Sequence, residues 1–326
     1  MRAFRVTSTD RAPELTDIPP PRPGPGEVRI RVAACALNFS DMLLAQGRYQ
    51  ERPALPFTLG MELSGTVEAV GDGVQSPAPG MRVAAIVTIG GLAEQAIVAA
   101  DRCIPLPDGM GFEEAAALQI AYATSHLALL RRARLQAGET LLVTGAAGGA
   151  GLTAVEIGKL TGARVIALAR GAEKLAAARA AGADHLIDSD SREGADLKAT
   201  LRALGGIDVA YETIGGDIFL QALGAMRPEG RILTIGYAGG TIPQIPANLL
   251  LVKNLTAIGL YIGGYPGFCP DALRESLTEI MGWHAAGRIH PQISHILPLS
   301  QAAEALALLR DRKSTGKVVV RCDQRA

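Results

Sequence analysis

A glycine-rich segment between two apolar runs is the part of this sequence whose spacing most directly suggests chemistry. Residues 141–170 read LLVTGAAGGAGLTAVEIGKLTGARVIALAR: a strand-like run, a glycine cluster, a helix-like stretch and a second strand-like run. Gly145 can form the tight turn out of the strand, and Gly151 lets the helix pack closely on the sheet. Because the amides and the dipole at the start of that helix attract an anion, we expect a dinucleotide pyrophosphate to bind here. The expected contacts are Gly148, Gly149 and Ala150.

The spacing of these glycines is G-x-x-G-G-x-G, whereas the commoner nucleotide fingerprint is G-x-G-x-x-G. A strand-to-helix turn without a ligand therefore remains an alternative interpretation. The strand and the helix on either side favour the nucleotide, since a chance pattern in a chain with 38 glycines would lack that context.

The end of the second apolar run carries basic rather than acidic side chains. A dinucleotide fold that uses NAD places an acid there, on the ribose 2′-hydroxyl, but this chain has Arg170, and Lys174 follows one helical turn later. A guanidinium group binds phosphate in a bidentate way, which suits the 2′-phosphate of NADP. The sequence therefore predicts NADPH rather than NADH. The alternative is that both cations are solvated at the start of a surface helix, where Glu173 weakens their field.

Composition argues against several classes of function. The chain has 326 residues, enough for two domains, with 48% hydrophobic and 20% charged residues. Lysine plus arginine equals aspartate plus glutamate at 32 each, so nothing indicates binding to nucleic acid or to an anionic membrane. The N-terminus lacks the apolar core of a signal peptide, and no apolar run is long enough to cross a bilayer. We therefore expect a cytoplasmic protein.

The cysteines and histidines show no metal-binding or disulfide pattern. The four cysteines are far apart and form no C-x-x-C pair, and the five histidines lack the spacing of zinc proteases. We expect four free thiols and histidines that are either solvated or hydrogen-bonded.

The elements that must position the glycine loop change in character along the chain. Up to about Ala117, short strand-like runs alternate with turns rich in glycine and proline, which is typical of a partly closed all-β domain. From Leu141, strands alternate regularly with helices, which indicates a doubly wound parallel sheet. The predicted strands are 141–144, 165–169, 185–188, 207–212, 231–236 and 255–262, and the predicted helices begin at about 151 and cover 172–181, 195–204 and 218–226.

The last part of the chain does not extend this alternation. Residues 270–286 and 300–309 have helical patterns, and 316–320 reads as a final strand. We therefore expect the tail to return to the first domain. The predicted organisation is a nucleotide domain at 119–262, inserted between residues 1–118 and 263–326 of the other domain. The cleft between the two domains is then the expected active site.

Several separated motifs resemble one enzyme superfamily. They are Ala36–Asp41 (ALNFSD), Leu55–Gly65 (LPFTLGMELSG), the glycine loop, and Ser314–Val319 (STGKVV). In this order they resemble the medium-chain dehydrogenase/reductase superfamily, and within it the zinc-free quinone oxidoreductase branch, the zeta-crystallin-like enzymes. The resemblance covers essentially the whole chain. It implies an α/β fold in which a Rossmann sheet is inserted in a GroES-like, mainly β catalytic domain, and a homodimer formed edge to edge through residues 255–262.

The chain departs from the zinc-bearing alcohol dehydrogenases of this superfamily at the ligand positions. Where those enzymes hold catalytic zinc with a cysteine and a histidine, this chain has Asn38 and Met61, and only Glu62 of that set is kept. In the region that matches their structural zinc cluster, only Cys103 is present. An amide and a thioether cannot make the tetrahedral nitrogen and sulfur site that Zn²⁺ requires. We therefore predict that no metal is bound, and we interpret Glu62 as a structural carboxylate.

The loss of zinc that the resemblance implies restricts the reaction. Reduction of a simple carbonyl develops alkoxide charge on one oxygen, which a Lewis acid or a strong donor must stabilise. Hydride addition to a quinone or an α,β-unsaturated carbonyl spreads that charge over a conjugated system, so a hydrogen-bond donor and a water-derived proton suffice. We therefore predict NADPH-dependent reduction of quinones or other conjugated carbonyl compounds, by positioning two molecules in a dry cleft.

The resemblance also implies roles for individual residues. Asn38, at a matched zinc-ligand position, is expected to face the nicotinamide and to donate a hydrogen bond to the cofactor ribose or to the acceptor oxygen. Asp41, in the same N-x-x-D segment, is expected to orient local structure rather than to transfer a proton. Thr124, Gly236 and Tyr237 resemble positions that line the nicotinamide pocket, although a bond of the Thr124 hydroxyl to its own helix backbone is an equal alternative.

Three further positions differ from some relatives. Leu43 stands where they have a tyrosine, and Ser189 stands at a cofactor-binding position where they have an adenine-stacking ring or imidazole. Tyr49 would restore a phenol to the cleft, but we favour packing of this loop tyrosine on the β domain.

Two other functions stay open from the sequence. One is a reductase of the same superfamily that acts on enoyl thioesters or alkenals, which a basic patch at the cleft mouth would favour. The other is an NADPH-binding protein with a structural or sensory role and little turnover. Binding of NADPH without oxidation by any conjugated acceptor would favour the second.

Overall fold

The computed structural model describes residues Met1–Cys322, which form two compact units. The first unit consists of Met1–Ile120 and of the described residues from Leu277 to Cys322, and the second is Ala121–Ser276. The second unit is therefore inserted into the sequence of the first. Residues 323–326 of the predicted return segment 263–326 lie outside the described residues.

The strands and helices are numbered in chain order. Up to residue 132 they are β1 (Arg2–Val6), β2 (Glu14–Asp17), β3 (Glu27–Leu37), α1 (Phe39–Ala45), β4 (Phe57–Thr58), β5 (Glu62–Val70), β6 (Arg82–Ile86), β7 (Gln95–Ala99), β8 (Cys103–Pro105) and α2 (Phe112–His126), which continues as a π-helical segment (Leu127–Arg132). Up to residue 259 they are β9 (Thr140–Thr144), α3 (Gly149–Leu160), β10 (Arg164–Ala169), α4 (Ala172–Ala180), β11 (His185–Asp188), α5 (Arg192–Ala195), α6 (Leu197–Ala203), β12 (Ile207–Glu212), α7 (Gly216–Ala225), β13 (Met226–Thr234), α8 (Ala247–Lys253) and β14 (Thr256–Gly259). The last are α9 (Tyr265–Phe268), α10 (Pro270–Ala285), β15 (Ile293–Pro298), α11 (Ala302–Arg310) and β16 (Lys317–Arg321), with 3₁₀ turns at Ala100–Arg102, Ile262–Gly264 and Leu299–Gln301.

The second unit contains a six-stranded parallel sheet in the order β11-β10-β9-β12-β13-β14. The chain starts in the centre with β9, steps outward to β11, and returns to the other side of β9 with β12. In folds of this type, ligands bind beyond the carboxyl ends of the strands where the order reverses. Leu142, Ile166 and Ile232 are fully buried in the core of this sheet. The doubly wound parallel sheet predicted from the alternation of strands and helices is confirmed.

The first unit is mainly β. Its larger sheet has seven strands, with the path β15-β16-β3-β5-β6-β8 and with β7 paired to β3, and its small sheet has the order β2-β1-β4. β16 pairs antiparallel with β3, Val319 opposite Ala36, so the last strand of the chain completes this unit. Ile30 and Leu63 are fully buried in its core, and Tyr49 packs against that core, as expected from the sequence.

Three elements differ clearly from the predicted pattern. The predicted strand 255–262 is shorter and ends at Gly259, before the 3₁₀ turn at Ile262–Gly264. The helix predicted at 195–204 begins later, as α6 at Leu197, because Asp196 leaves the helical conformation at φ −110° and ψ 57°, and the short helix α5 that precedes it is not predicted from the sequence. The Asp196 carboxylate then accepts a hydrogen bond from the N–H of Ala199 at 3.2 Å and caps α6. The predicted strand 231–236 begins earlier, since Met226 already pairs with Ile207 before a bulge interrupts the ladder. Within Met1–Cys322, no helix is both long and apolar enough to span a bilayer.

Candidate functional site

The glycine loop lies where the strand order of the second unit reverses. β9 ends at Thr144, Gly145 turns the chain with a φ of +60°, and α3 begins at Gly149. The N–H of Gly148 donates to the carbonyl oxygen of Gly145 at 2.9 Å and closes the turn. The first-turn amides of α3, those of Gly149 and Ala150 among them, have no acceptor inside their own helix. The loop thus presents main-chain donors at Gly149 and Ala150, two of the three positions where the sequence predicts pyrophosphate contacts, whereas the N–H of Gly148 is used within the turn.

Gly151 allows α3 to begin this close to the strand. An ideal Cβ at this position would lie 2.2 Å from the carbonyl oxygen of Gly145 and 2.8 Å from Cα of Ala146. Both are backbone atoms, so no side chain can move aside to relieve the clash. The short turn therefore requires glycine here.

A buried carboxylate on the neighbouring strand holds the glycine loop in place. Glu212, at the end of β12, is fully buried and accepts hydrogen bonds from Oγ1 of Thr144 at 3.0 Å and from the N–H groups of Ile214 and Gly215 at 2.8 and 2.9 Å. Thr213 adds a bond from its hydroxyl to the carbonyl oxygen of Thr144 at 2.8 Å. Burial raises the pKa of Glu212, while these donors to its carboxylate act in the opposite direction. The end of β9, from which the glycine loop starts, is therefore joined to the end of β12 and the loop that follows it.

Arg170 and Ser189 lie at the same edge of the sheet as the glycine loop. β10 and β11 pair in parallel and end opposite each other, and each of the two residues follows one of these strand ends. Nε of Arg170 lies 3.2 Å from Oδ1 of Asp190, and the two side chains are 64% and 61% exposed. Because an ion pair this exposed is weak, the guanidinium can exchange Asp190 for an anionic ligand. Lys174 is half-buried in α4.

The remaining predicted positions of the second unit lie on two elements. Gly236 and Tyr237 follow β13, which pairs with β12, and the Tyr237 side chain is 37% exposed. The structure therefore brings the glycine loop, Arg170, Ser189 and Gly236 to the carboxyl edge of one sheet. Thr124 lies instead within α2 and is only 7% exposed.

In the first unit, Asn38 belongs to a buried hydrogen-bond cluster. Its Nδ2 donates to Oε1 of Glu62 at 2.8 Å. Nζ of Lys317 donates to Oδ1 of Asn38 at 2.7 Å, to Oε1 of Glu62 at 2.8 Å and to the carbonyl oxygen of Leu37 at 2.9 Å. Oε2 of Glu62 accepts the N–H of Ile120 at 2.7 Å. The end of β3 and the starts of β5 and β16 therefore meet at one ion pair, in which the side chains of Lys317 and Glu62 are 5% and 0% exposed.

Asp41 fixes the backbone beside this cluster. Its Oδ2 accepts the N–H of Asn38 at 2.8 Å, and its Oδ1 accepts the N–H of Gly60 at 3.2 Å. Burial raises the pKa of Asp41 to about 7, although these N–H donors and the ammonium of Lys317 act in the opposite direction. These contacts support an orienting role for Asp41 and tie the start of α1 to the turn before β5.

The raised pKa of Asp41 predicts that the protein loses stability as the pH rises. In the folded state Asp41 keeps its proton up to about pH 7, whereas in the unfolded chain it ionises near 3.8. The contribution of protonated Asp41 to the free energy of unfolding is therefore complete below the pKa of Asp41 in the unfolded chain. It is lost as the pH rises through the pKa of Asp41 in the folded protein. We expect the difference in free energy of unfolding between wild type and Asp41→Asn to fall by about 1 kcal/mol per pH unit between about pH 5 and pH 7. Urea titrations at several pH values measure it, and a constant difference would contradict the assignment.

The residues at the matched zinc positions do not fit a zinc ion. Both carboxylate oxygens of Glu62 are already engaged by Lys317, Asn38 and a backbone N–H, and Met61 offers only a buried thioether. Across residues 1–322, no three His, Cys, Asp or Glu side chains are grouped so that they could hold a metal ion. That the protein contains no zinc stays a prediction.

Lys317 and Glu212 are two residues of these clusters that the sequence does not predict as site residues. In the sequence, Lys317 is only part of the STGKVV motif, and Glu212 is only the end of a strand. Each is a charge next to a short apolar run within its strand, as the segments KVVV and VAYE show. A charge in that position indicates a buried side chain with a polar partner, because charged side chains are rarely fully buried unless they are paired.

Comparison with known proteins places this chain in one family. The alcohol dehydrogenase GroES-like domain model matches residues 24–108, and the zinc-binding dehydrogenase model matches residues 149–280. The quinone oxidoreductase-like protein 2 of Bos taurus is 41% identical over 302 residues, which cover 92% of this chain and 86% of that protein.

Solved structures agree with this family. The quinone oxidoreductase of Thermus thermophilus, whose structure is described together with its complex with NADPH, is 34% identical and has a TM-score of 0.86. The match covers 98% of this chain and 100% of that one. A mycobacterial protein described as complexed with NADPH has a TM-score of 0.91 at 28% identity, over 98% of this chain and 99% of that one. The Rossmann sheet with a GroES-like domain, which the resemblance implied, is confirmed.

Proposed function

We propose that this chain, which belongs to the quinone oxidoreductase branch of the medium-chain dehydrogenase/reductase superfamily, reduces quinones or other conjugated carbonyl compounds with NADPH and without zinc. The observation that carries the proposal is the glycine loop at the reversal of strand order, where the first-turn amides of α3 are left for a ligand. The two solved relatives described as NADPH complexes support the choice of cofactor.

The residues of the second unit suit a phosphorylated dinucleotide. The main-chain donors of Gly149 and Ala150 would bind the pyrophosphate at the start of α3. Gly148, whose own N–H closes the turn onto Gly145, would contact it without that donor. Arg170 and Lys174 would bind the 2′-phosphate, with Arg170 releasing Asp190. When bound, NADPH supplies the hydride.

Asn38 in the first unit offers the hydrogen-bond donor that the reaction needs. In reduction of a conjugated carbonyl, two electrons and one hydrogen arrive as hydride and a proton follows from water. The negative charge that collects on the acceptor oxygen is spread by conjugation, so one neutral N–H can stabilise it. No metal is required for this step, and the residues around Asn38 do not fit zinc.

An acceptor panel tests the proposed function. NADPH oxidation is followed by the absorbance of the reduced cofactor with 1,4-benzoquinone, an enone and an enoyl thioester. Turnover with the quinone or the enone is the expected result. Turnover with the thioester alone would replace the proposal by an enoyl-thioester reductase, and binding of NADPH without turnover on any acceptor would overturn it in favour of a binding protein.

Arg170→Ala should remove the preference for NADPH over NADH. Loss of a charge-assisted bond to the 2′-phosphate is expected to raise the Kd of NADPH by about tenfold or more while the Kd of NADH changes little. Arg179→Ala, an exposed arginine near the other end of α4, is the charge-matched control and should leave the ratio unchanged. An unchanged ratio of the Kd values of NADPH and NADH in Arg170→Ala would contradict the assignment of Arg170 to the 2′-phosphate.

We also propose that the chain forms a homodimer through the edge of the six-stranded sheet. β14 ends the sheet and pairs only with β13 among the described strands, and the preceding Leu251 and Val252 are 78% and 69% exposed. Because a free edge flanked by exposed apolar side chains favours pairing with a second copy, light scattering after gel filtration should give twice the mass of the chain. Leu251→Glu should halve that mass, and a wild-type monomer would contradict the proposal.

A further inference from the structure

The cluster around Asn38 leaves its side-chain amide with a single orientation. An ammonium group can only donate hydrogen bonds, and a carboxylate can only accept them. Nζ of Lys317 lies 2.7 Å from one end of the amide, and Oε1 of Glu62 lies 2.8 Å from the other. The amide oxygen must therefore face Lys317, and the amide nitrogen must face Glu62.

The amide nitrogen keeps one hydrogen for a ligand. Nδ2 of Asn38 carries two hydrogens, and Glu62 takes one of them. In the part of the chain that the structure describes, no second acceptor is found for Nδ2. Asn38 is half-buried, whereas Lys317 and Glu62 are buried, so among these three residues Asn38 is the one with exposed surface.

Lys317 cannot itself be that donor. Its three ammonium hydrogens are matched by three acceptors, the carbonyl oxygen of Leu37, Oδ1 of Asn38 and Oε1 of Glu62. Its side chain is only 5% exposed. Lys317 can therefore influence a ligand only through the residues it contacts, Asn38 and Glu62.

We infer that Lys317 is a positioning residue: by holding Oδ1 of Asn38 it directs the remaining Nδ2–H toward the carbonyl oxygen of a bound quinone or enone. This inference rests on the proposed function. The ammonium also neutralises Glu62, so the cluster presents a neutral donor rather than a carboxylate to an acceptor that gains negative charge. A lysine from the last strand thus organises the site at positions where zinc enzymes of the superfamily use a metal.

Steady-state kinetics of Lys317→Met, Asn38→Ala and the double variant test this role. Lys317→Met should lower kcat on a quinone by about tenfold to a hundredfold, with a Kd for NADPH within about twofold of wild type. In the Asn38→Ala background the same change should have no further effect, because the group through which it acts is gone. Independent effects that multiply in the double variant would overturn the inference, as would a loss confined to the Kd of NADPH.

Lys159→Met is the matched control. Nζ of Lys159 also has a carboxylate partner and a backbone carbonyl, with Asp184 at 2.8 Å and the oxygen of Ala163 at 3.3 Å. These partners directly precede β11 and β10, so Lys159 lies at the amino ends of the strands of the second unit and not at the carboxyl ends that carry the glycine loop. Lys159→Met should leave kcat unchanged. If Lys317→Met does not fold, the double variant Lys317→Met with Glu62→Gln, which removes both charges of the ion pair, takes its place. Its kcat is then compared with that of the same double variant carrying Asn38→Ala.

The amide itself can be observed without turnover. In ¹⁵N-labelled protein the side-chain NH₂ signal that disappears in Asn38→Ala belongs to this residue. Its two hydrogens should have well-separated shifts in wild type and should move toward those of free asparagine in Lys317→Met. An unchanged pair would overturn the inference. If wild type turns over no acceptor, the proposed function fails, whereas the orienting role of Lys317 is still decided by this signal.

Discussion

Gly151→Ala should abolish NADPH binding at concentrations at which wild type is saturated. The added Cβ would stand 2.2 Å from the carbonyl oxygen of Gly145, so either α3 or the turn before it must move. Each displaced main-chain donor costs a charge-assisted hydrogen bond to the pyrophosphate. With two or more of these lost, the Kd of NADPH should rise by at least about 100-fold. Quenching of NADPH fluorescence or calorimetry measures this constant.

Gly282→Ala is the control for that experiment. Gly282 also lies inside a helix, α10, but nothing is found within 4 Å of an ideal Cβ there. This variant should bind NADPH like wild type and should be slightly more stable, since alanine has less freedom than glycine in the unfolded chain. Equal binding by Gly151→Ala and Gly282→Ala would show that the glycine loop does not hold the cofactor.

Lys317→Met should cause the largest loss of stability. The substitution leaves the carboxylate of Glu62 fully buried without its counter-charge, and removing one partner of a buried ion pair costs about 3–5 kcal/mol. Adding Glu62→Gln removes the unpaired charge and should recover most of the loss. The free energy of unfolding from urea titration gives both values.

The ion pair of Lys159 with Asp184 provides the comparison. Its side chains are 35% and 39% exposed, so Lys159→Met should cost only about 0–1 kcal/mol. Similar losses in Lys159→Met and Lys317→Met would mean that Glu62 is not held as a buried charge. A loss that Glu62→Gln does not recover would show that packing of the lysine stem, rather than its charge, is responsible.

The second unit could be predicted from the sequence because its signals are local. The central strands of the six-stranded sheet contain short apolar runs, crossover helices follow them within a few residues, and Gly145 to Gly151 mark the turn between the first strand and its helix. Since parallel strands must be joined by crossovers, this order alone fixes the fold class. The bounds are harder to predict where a single residue decides them, as at Asp196, which caps α6 and makes it begin two residues later than predicted.

The cluster around Asn38 could not be built from the sequence because its partners are distant in the chain. Lys317 contacts Asn38 and Glu62 across 279 and 255 positions, and no local pattern encodes that meeting. It follows from the pairing of β16 with β3 and of β3 with β5. Resemblance to zinc enzymes directs attention to Asn38 and Glu62, but it does not point to a lysine, which is not a metal ligand in that comparison.

A crystal structure of the protein soaked with NADPH tests the proposed cofactor site most directly. We predict pyrophosphate density on the first-turn amides at Gly149 and Ala150, with the 2′-phosphate against Arg170 in place of Asp190. NADPH bound elsewhere with that turn empty, or a metal ion coordinated beside Met61 and Glu62, would contradict the proposed function.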